Sequence, residues 1–208
     1  MNEYLIIGNS AAATGAIEGI RTVDKKGEIT VLSEEPHLCY SRPLISYFLA
    51  GKVDGEKLIY RGWDFYQRNN VKLYLGRKVI KLDSPKKIVE MEGNGEFSYK
   101  KLLIATGSSP LTPPVKGTGK KGQHFFYTLN DVYDLKENIK EGESAVIVGG
   151  GLIGLKAAEA LSLKGLKVTV VERAPYLLSS ILNQVSAAIL EERIRNSGIR
   201  VIVNNTVE

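Results

Sequence analysis

Cysteine occurs once in these 208 residues, at Cys39, which excludes an internal disulfide and any C-x-x-C redox or zinc pair. Histidine occurs twice, and neither His37 nor His124 has an acid or nucleophile spaced for a catalytic triad. No apolar run approaches the roughly 20 residues needed to span a bilayer. Met1 leads straight into a strand pattern, without the basic segment and apolar stretch of a secretory leader. Blocks of like charge are missing too. The formal charge of +5 comes from lysines and arginines scattered along the chain, which reads as a solvated surface rather than a nucleic-acid stripe. A docking face for an acidic electron carrier is the rival reading of that charge. These absences point to a reducing, cytoplasmic setting with neither nucleic acid nor membrane as partner. What remains is a composition with 43% hydrophobic and 25% charged residues, enough to build a core in one large domain or two small ones.

The chain is organised around its first strand and turn, Tyr4-Leu5-Ile6-Ile7-Gly8-Asn9-Ser10-Ala11-Ala12-Ala13. An apolar run ends in a glycine turn, and small residues open a helix. Such a turn lays a dinucleotide pyrophosphate on exposed backbone N–H groups at the positive end of the helix dipole. The spacing is G-x-S-x-x-A, a weak signal alone. A second copy strengthens it: Val146-Ile147-Val148-Gly149-Gly150-Gly151-Leu152-Ile153-Gly154 carries the full G-x-G-x-x-G between an apolar strand and a helix. Each unit continues through an Ala-containing helix to another strand and an acid, Glu34 or Glu35 in the first and Glu172 in the second. An acid about 20 residues past the glycines is placed to accept from a ribose 2′-hydroxyl. Two units imply two dinucleotides.

Between the units, the Pro36–Gly51 stretch reads as a loop entering a helix that Gly51 ends, and a short helix follows from Trp63 to Asn69, with Trp63 as a packing residue. From Val71 to Tyr99, Gly76, Asp83-Ser84-Pro85 and Gly93-Asn94-Gly95 punctuate short strands and hairpins. Lys101 to Gly107 reads as a buried strand ending in a small-residue turn. Ser109 to Gly122, with three prolines and three glycines, is a linker. A helix follows over 130–140, capped by Asn130 or Asp131. After Glu172 the pattern gives an amphipathic helix over 181–196 and a strand over 199–203.

This order resembles the FAD-dependent pyridine nucleotide–disulfide oxidoreductase superfamily, in particular the branch of rubredoxin and ferredoxin reductases and the flavin module of NADH-dependent nitrite reductases. The closer match rests on Glu34-Glu35-Pro36-His37, Tyr40-Ser41-Arg42-Pro43-Leu44-Ile45-Ser46, Ala105-Thr106-Gly107 and Gly149-Gly150-Gly151-Leu152-Ile153-Gly154-Leu155. It covers the N-terminal part of the family pattern. The resemblance implies an α/β fold with two Rossmann-like FAD/NAD(P)-binding units in three-layer sandwiches, the second incomplete. It implies an FAD domain over 1–113, a linker and short helix over 114–140, and the first half of an NAD(P)H domain over 141–208. The cofactors implied are FAD and NADH, with NADPH less favoured. The activity implied is hydride transfer from NADH to FAD, with electrons passed to a redox-protein or small-molecule acceptor; oligomers are compatible with it.

On the same resemblance, Gly8, Ser10, Ala11 and Ala12 line the FAD pyrophosphate, and Glu34 takes the adenosine ribose with Glu35 as rival. Val79 meets the adenine by its backbone. Arg42 and Pro43 approach the pyrophosphate and flavin, and Ala105, Thr106 and Gly107 close the other side. Gly149, Gly151, Leu152, Ile153, Gly154 and Glu172 hold the nicotinamide dinucleotide. Relatives that work through thiols carry a reactive cysteine where this chain has Pro43, with Cys39 one helical turn earlier. Many relatives have lysine where Tyr47 stands, glutamate where Lys156 stands and arginine where Tyr127 stands. Lys156 is thus either a cation near the nicotinamide and flavin or an exposed helix lysine. Two further readings stay open: a thiol-dependent oxidase or reductase using Cys39, and a nucleotide-binding fragment without turnover.

Overall fold

A computed structural model describes residues 2–93 and 95–207. The chain divides into two compact units. One comprises residues up to Ser41 together with Ile59–Ser108; the other comprises Arg42–Leu58 together with the chain from Ser109 onward. Residues 42–58, which the sequence reading places in the first domain, group with the second unit.

In the first unit, strand β1 (Asn2–Ile7), helix α1 (Ala11–Val23) and strand β2 (Ile29–Leu32) form the β-α-β core of the first motif. The second unit contributes the next helix in chain order, α2 (Ile45–Leu49), which follows a 3₁₀ turn over Arg42–Leu44. The first unit then continues with α3 (Trp63–Arg68), β3 (Val71–Tyr74), β4 (Val79–Asp83), β5 (Ile88–Met91) and β6 (Gly95–Ile104). The sheet order is β3-β2-β1-β6-β5-β4. β3, β2, β1 and the second half of β6 run parallel, whereas the first half of β6 pairs antiparallel with β5 and β5 with β4.

Strand alternation sorts the core into two clusters. Ile6, Ile29 and Val31 pack with Ala13 and Ile17 of α1 and with Phe65 and Tyr66 of α3. Leu5, Ile7 and Leu32 pack with Val89, Met91 and Tyr99. The parallel strands therefore lie between helices on one face and the hairpin strands on the other, a three-layer arrangement. The end of β6 is less buried than its apolar sequence predicts, with Ile104 59% exposed. Residues 101–104 pair with β1, whereas β5 reaches only residues 95–98, so one side of this end has no strand among the described residues.

The second unit adds α4 (Leu129–Asn138), β7 (Ser144–Val148), α5 (Leu152–Leu163), β8 (Lys167–Val171), α6 (Gln184–Asn196) and β9 (Arg200–Ile202). Its strands are parallel in the order β7-β8-β9, with the helices as crossovers. The cap of α4 is Thr128, not Asn130 or Asp131. The Thr128 hydroxyl accepts from Asp131 N–H, and the Asp131 carboxylate accepts from Thr128 N–H. That reciprocal pair satisfies two end donors, where a lone acid cap would satisfy one. α6 starts three residues later than its periodicity suggests because Asn183 accepts from Ser186 N–H and sets its first turn.

Candidate functional site: two glycine turns at strand ends

The first turn lies where β1 ends. Gly8 has φ +110°, a conformation that costs a Cβ-bearing residue free energy, and its N–H donates to Leu32 O at 2.8 Å. A Cβ on Gly8 would lie 2.1 Å from Ala105 O. Only glycine lets the turn pass this close to the end of β6, where Ala105 N–H donates to Ile7 O. The sequence-predicted Gly8 and Ala105 are thus brought together, with Thr106 and Gly107 directly following. Ser10 occupies the N-cap of α1 but makes no side-chain capping bond, and the first turn holds no acid. Ala11 and Ala12 face outward from that end, while Ala13 is fully buried against the sheet. An uncapped helix start made of small residues, with no carboxylate beside it, is what a pyrophosphate requires.

The acids at the end of β2 differ in what they do. Glu35 accepts from the Tyr40 hydroxyl at 2.6 Å, whereas Glu34 is exposed and pairs with Lys78 at 3.0 Å. The segment 76–78 runs alongside: Gly76 N–H donates to Glu35 O and Arg77 N–H to Ser33 O. Val79, next in the chain, opens β4 opposite Met91, half-buried against the second core cluster. Glu34, Glu35 and Val79 therefore occupy one neighbourhood beside the first turn, with Glu34 the acid whose carboxylate faces outward.

The second turn repeats the geometry in the second unit. Gly149 has φ +107°, and its N–H donates to Val171 O at 2.8 Å. A Cβ at Gly154 would meet Gly149 O at 2.0 Å, so α5 can approach β7 only without a side chain there. At Gly151, by contrast, a Cβ would meet no heavy atom within 4 Å. One glycine permits packing; the other keeps space open in front of the helix. Leu152 and Ile153 are more than half exposed at the start of α5, which has neither a side-chain cap nor an acid in its first turn. Glu172, directly after β8, accepts from Gly150 N–H at 2.6 Å and Ala174 N–H at 2.7 Å. Its carboxylate is held at the rim of the glycine turn.

A segment absent from the sequence reading buttresses this turn. Leu178 N–H donates to Gly150 O at 3.1 Å, and a Cβ at Gly150 would lie 2.4 Å from a Leu177 methyl. Leu178 itself has φ +53°, strained for a leucine. Nothing in the Leu177-Leu178 pair beyond its apolar character marks such a role.

The remaining candidates also lie in the second unit. The Arg42 guanidinium stacks 4.5 Å from the Tyr127 ring centroid and donates to Tyr127 O at 3.2 Å. Pro43 O accepts from the Ser46 hydroxyl. Lys156 is not a solitary helix lysine. Its ammonium bonds Glu159 and lies 4.6 Å from the Tyr47 ring centroid, while Lys52 bonds the same carboxylate at 3.3 Å. The Glu159 hydrogen bond raises the Lys156 pKa, and the Lys156 bond lowers that of Glu159, so both are charged. Lys156 and Tyr47, at the two positions where the family resemblance expects glutamate and lysine, thus touch one another.

In the first unit, Cys39 is 1% exposed and lies in a loop, not one helical turn before Pro43, and its carbonyl accepts from Tyr60 and Arg61 N–H. Trp63 is half exposed, edge-on to Tyr66, rather than packed in the core. His124 pairs with Asp134 at 2.5 Å. Among the described residues no three metal-ligating side chains cluster, and no helix is long and apolar enough to cross a membrane.

Known proteins share this arrangement. Residues 2–208 match the family model described as pyridine nucleotide-disulphide oxidoreductase. The chain is 37% identical over 206 residues to the NADH-dependent phenylglyoxylate dehydrogenase subunit epsilon of Aromatoleum evansii, covering 99% of this chain and 49% of that one. It is 33% identical over 207 residues to the nitrite reductase [NAD(P)H] of Bacillus subtilis (strain 168), covering 99% of this chain and 26% of that one. The solved structure of the water-forming NADH oxidase from Lactobacillus brevis bound to NADH superposes with a TM-score of 0.91 at 25% identity, over 100% of this chain and 48% of that one. The chain therefore spans between a quarter and half of the length of these proteins. With two glycine turns at the ends of parallel strands and a family match from end to end of the described residues, the chain belongs to the pyridine nucleotide-disulphide oxidoreductase family.

Proposed function

We propose that the chain forms the dinucleotide-binding part of a flavin-dependent NADH oxidoreductase. The first turn holds FAD and the second holds NADH. The observation that carries this reading is the duplication itself: two uncapped helix starts, each behind a strand-end glycine at positive φ, and each followed by an acid just after the next strand. Gly8, Ser10, Ala11 and Ala12 offer backbone N–H groups to the FAD pyrophosphate. Glu34 accepts from the adenosine ribose, and Ala105, Thr106 and Gly107 bound the same site. Gly149, Gly151, Leu152, Ile153 and Gly154 do the same for NADH, whose ribose hydroxyls face Glu172. The cofactors would supply the hydride chemistry when bound, and the chain's part is to bind and orient each of them at its own turn. Lys156, fixed by Glu159 over Tyr47, keeps a positive charge on α5.

Electrons then pass to a redox protein, of the rubredoxin, ferredoxin or nitrite reductase kind, rather than through a thiol. Two relatives support such acceptors by their names, a rubredoxin-NAD(+) reductase of Pseudomonas putida and the nitrite reductase above. Burial of Cys39 at 1% exposure favours a packing role for its thiol. NADH oxidation by the flavin-loaded Cys39→Ser variant is expected to match that of the unmodified protein. Loss of activity with FAD retained would instead make Cys39 the relay.

A further inference from the structure

The first turn carries an asparagine between its two small positions, and that side chain is engaged on both sides. Asn9 Oδ1 accepts from the Tyr66 hydroxyl at 2.7 Å, and Asn9 Nδ2 donates to His37 O at 3.4 Å. The Tyr66 oxygen in turn accepts a backbone hydrogen bond from Cys39. Tyr66 is 1% exposed, on α3, wedged edge-on against Phe65 and packed in the cluster that includes Ile6 and Ala13. The donors and acceptors fix every orientation in the network. The tyrosine oxygen accepts from the Cys39 backbone, its own O–H donates to Asn9 Oδ1, and the amide nitrogen then faces the His37 carbonyl, which can only accept.

Asparagine and serine are among the strongest N-capping residues, and an Asn beside a helix start competes for its free N–H groups. Here Asn9 is turned away from α1, whose N-cap has no side-chain bond. We infer that Tyr66 acts through Asn9 as a positioning residue that holds the first glycine turn open for a dinucleotide pyrophosphate. This rests on the assignment of FAD to the first turn. Without the Tyr66 hydroxyl, Asn9 is released to fold over the helix start and occupy the donors a phosphate needs.

The test is a set of flavin fluorescence titrations on the purified chain, its Tyr66→Phe and Asn9→Ala variants and the double variant, with urea midpoints of the unliganded proteins in parallel. Tyr66→Phe keeps the ring and removes the hydroxyl, and it is expected to raise the FAD dissociation constant at least about tenfold. Asn9→Ala removes the competing amide, so the double variant should bind FAD more tightly than Tyr66→Phe alone, whatever its urea midpoint. Equal FAD affinity in Tyr66→Phe and the unmodified chain would overturn the inference. So would a double variant that binds no better than Tyr66→Phe, since the hydroxyl would then act without Asn9. Failure of the unmodified chain itself to take up FAD would overturn the underlying assignment of the first turn.

Discussion

On the proposed reading, Glu172 is the residue that sets nicotinamide selectivity. Its carboxylate is anchored by Gly150 and Ala174 N–H groups at the rim of the second turn, where a 2′-phosphate would meet a like charge at short range. Arg173 follows immediately and is the main rival, a cation that could grip the phosphate. We expect the flavoprotein to favour NADH over NADPH by at least about tenfold, or ~1.4 kcal/mol. Glu172→Ala should relax the ratio of kcat/KM values for the two cofactors, whereas equal use of NADPH by the unmodified protein would remove Glu172 from the site. Tyr66 gives a prediction about pH. Burial, followed by the proximity of Cys39, pushes its hydroxyl from an ordinary 10 up to about 12. The unfolded chain therefore loses this proton first as pH rises, and the folded state retains it. The contribution is fully present below about pH 10 and is lost between about 10 and 12. The stability difference between the unmodified protein and Tyr66→Phe, read from urea midpoints, should shrink across that window; a constant difference would mean the hydroxyl is not buried in solution.

Among the elements, the start of α5 separates a glycine that packs from a glycine that faces open space. Gly154→Ala puts a methyl on Gly149 O and should lower the thermal midpoint of the unliganded protein. Gly151→Ala meets nothing in the fold and should leave that midpoint nearly unchanged while weakening NADH binding at least about tenfold in a fluorescence titration. Equal effects of both on stability would mean the space before α5 is not a ligand site. The strands and helices of both motifs were legible because periodicity and glycine spacing are local signals. Their ends were less so. Thr128 outcompetes its neighbours as the cap of α4 because it pairs reciprocally with Asp131, a choice that depends on side-chain geometry. The exposed end of β6 was misread as buried because hydrophobicity reports what a strand could bury, whereas pairing decides what it does. Tyr66 left no signal at all: its role depends on α3 folding back onto the first turn, a contact between residues 57 positions apart.

At the scale of the whole molecule, two units of one design were foreseeable from the repeated motif, and the relatives share it across the length of this chain. The division within 36–58 was not. The helix α2 packs with α4 and α5, so residues 42–58 group with the second unit although they directly follow the first motif. Sequence order alone gives no weight to such a crossing. The central claim is that the first unit holds FAD and the second delivers reducing equivalents from NADH. Absorption spectroscopy of the purified chain, incubated with FAD, freed of excess by gel filtration and then titrated anaerobically with NADH, tests it most directly. The account predicts bands near about 370 and about 450 nm that stay with the protein, and bleaching of the longer-wavelength band as NADH is added. A chain that emerges colourless, or a bound flavin whose spectrum NADH leaves unchanged, would contradict it.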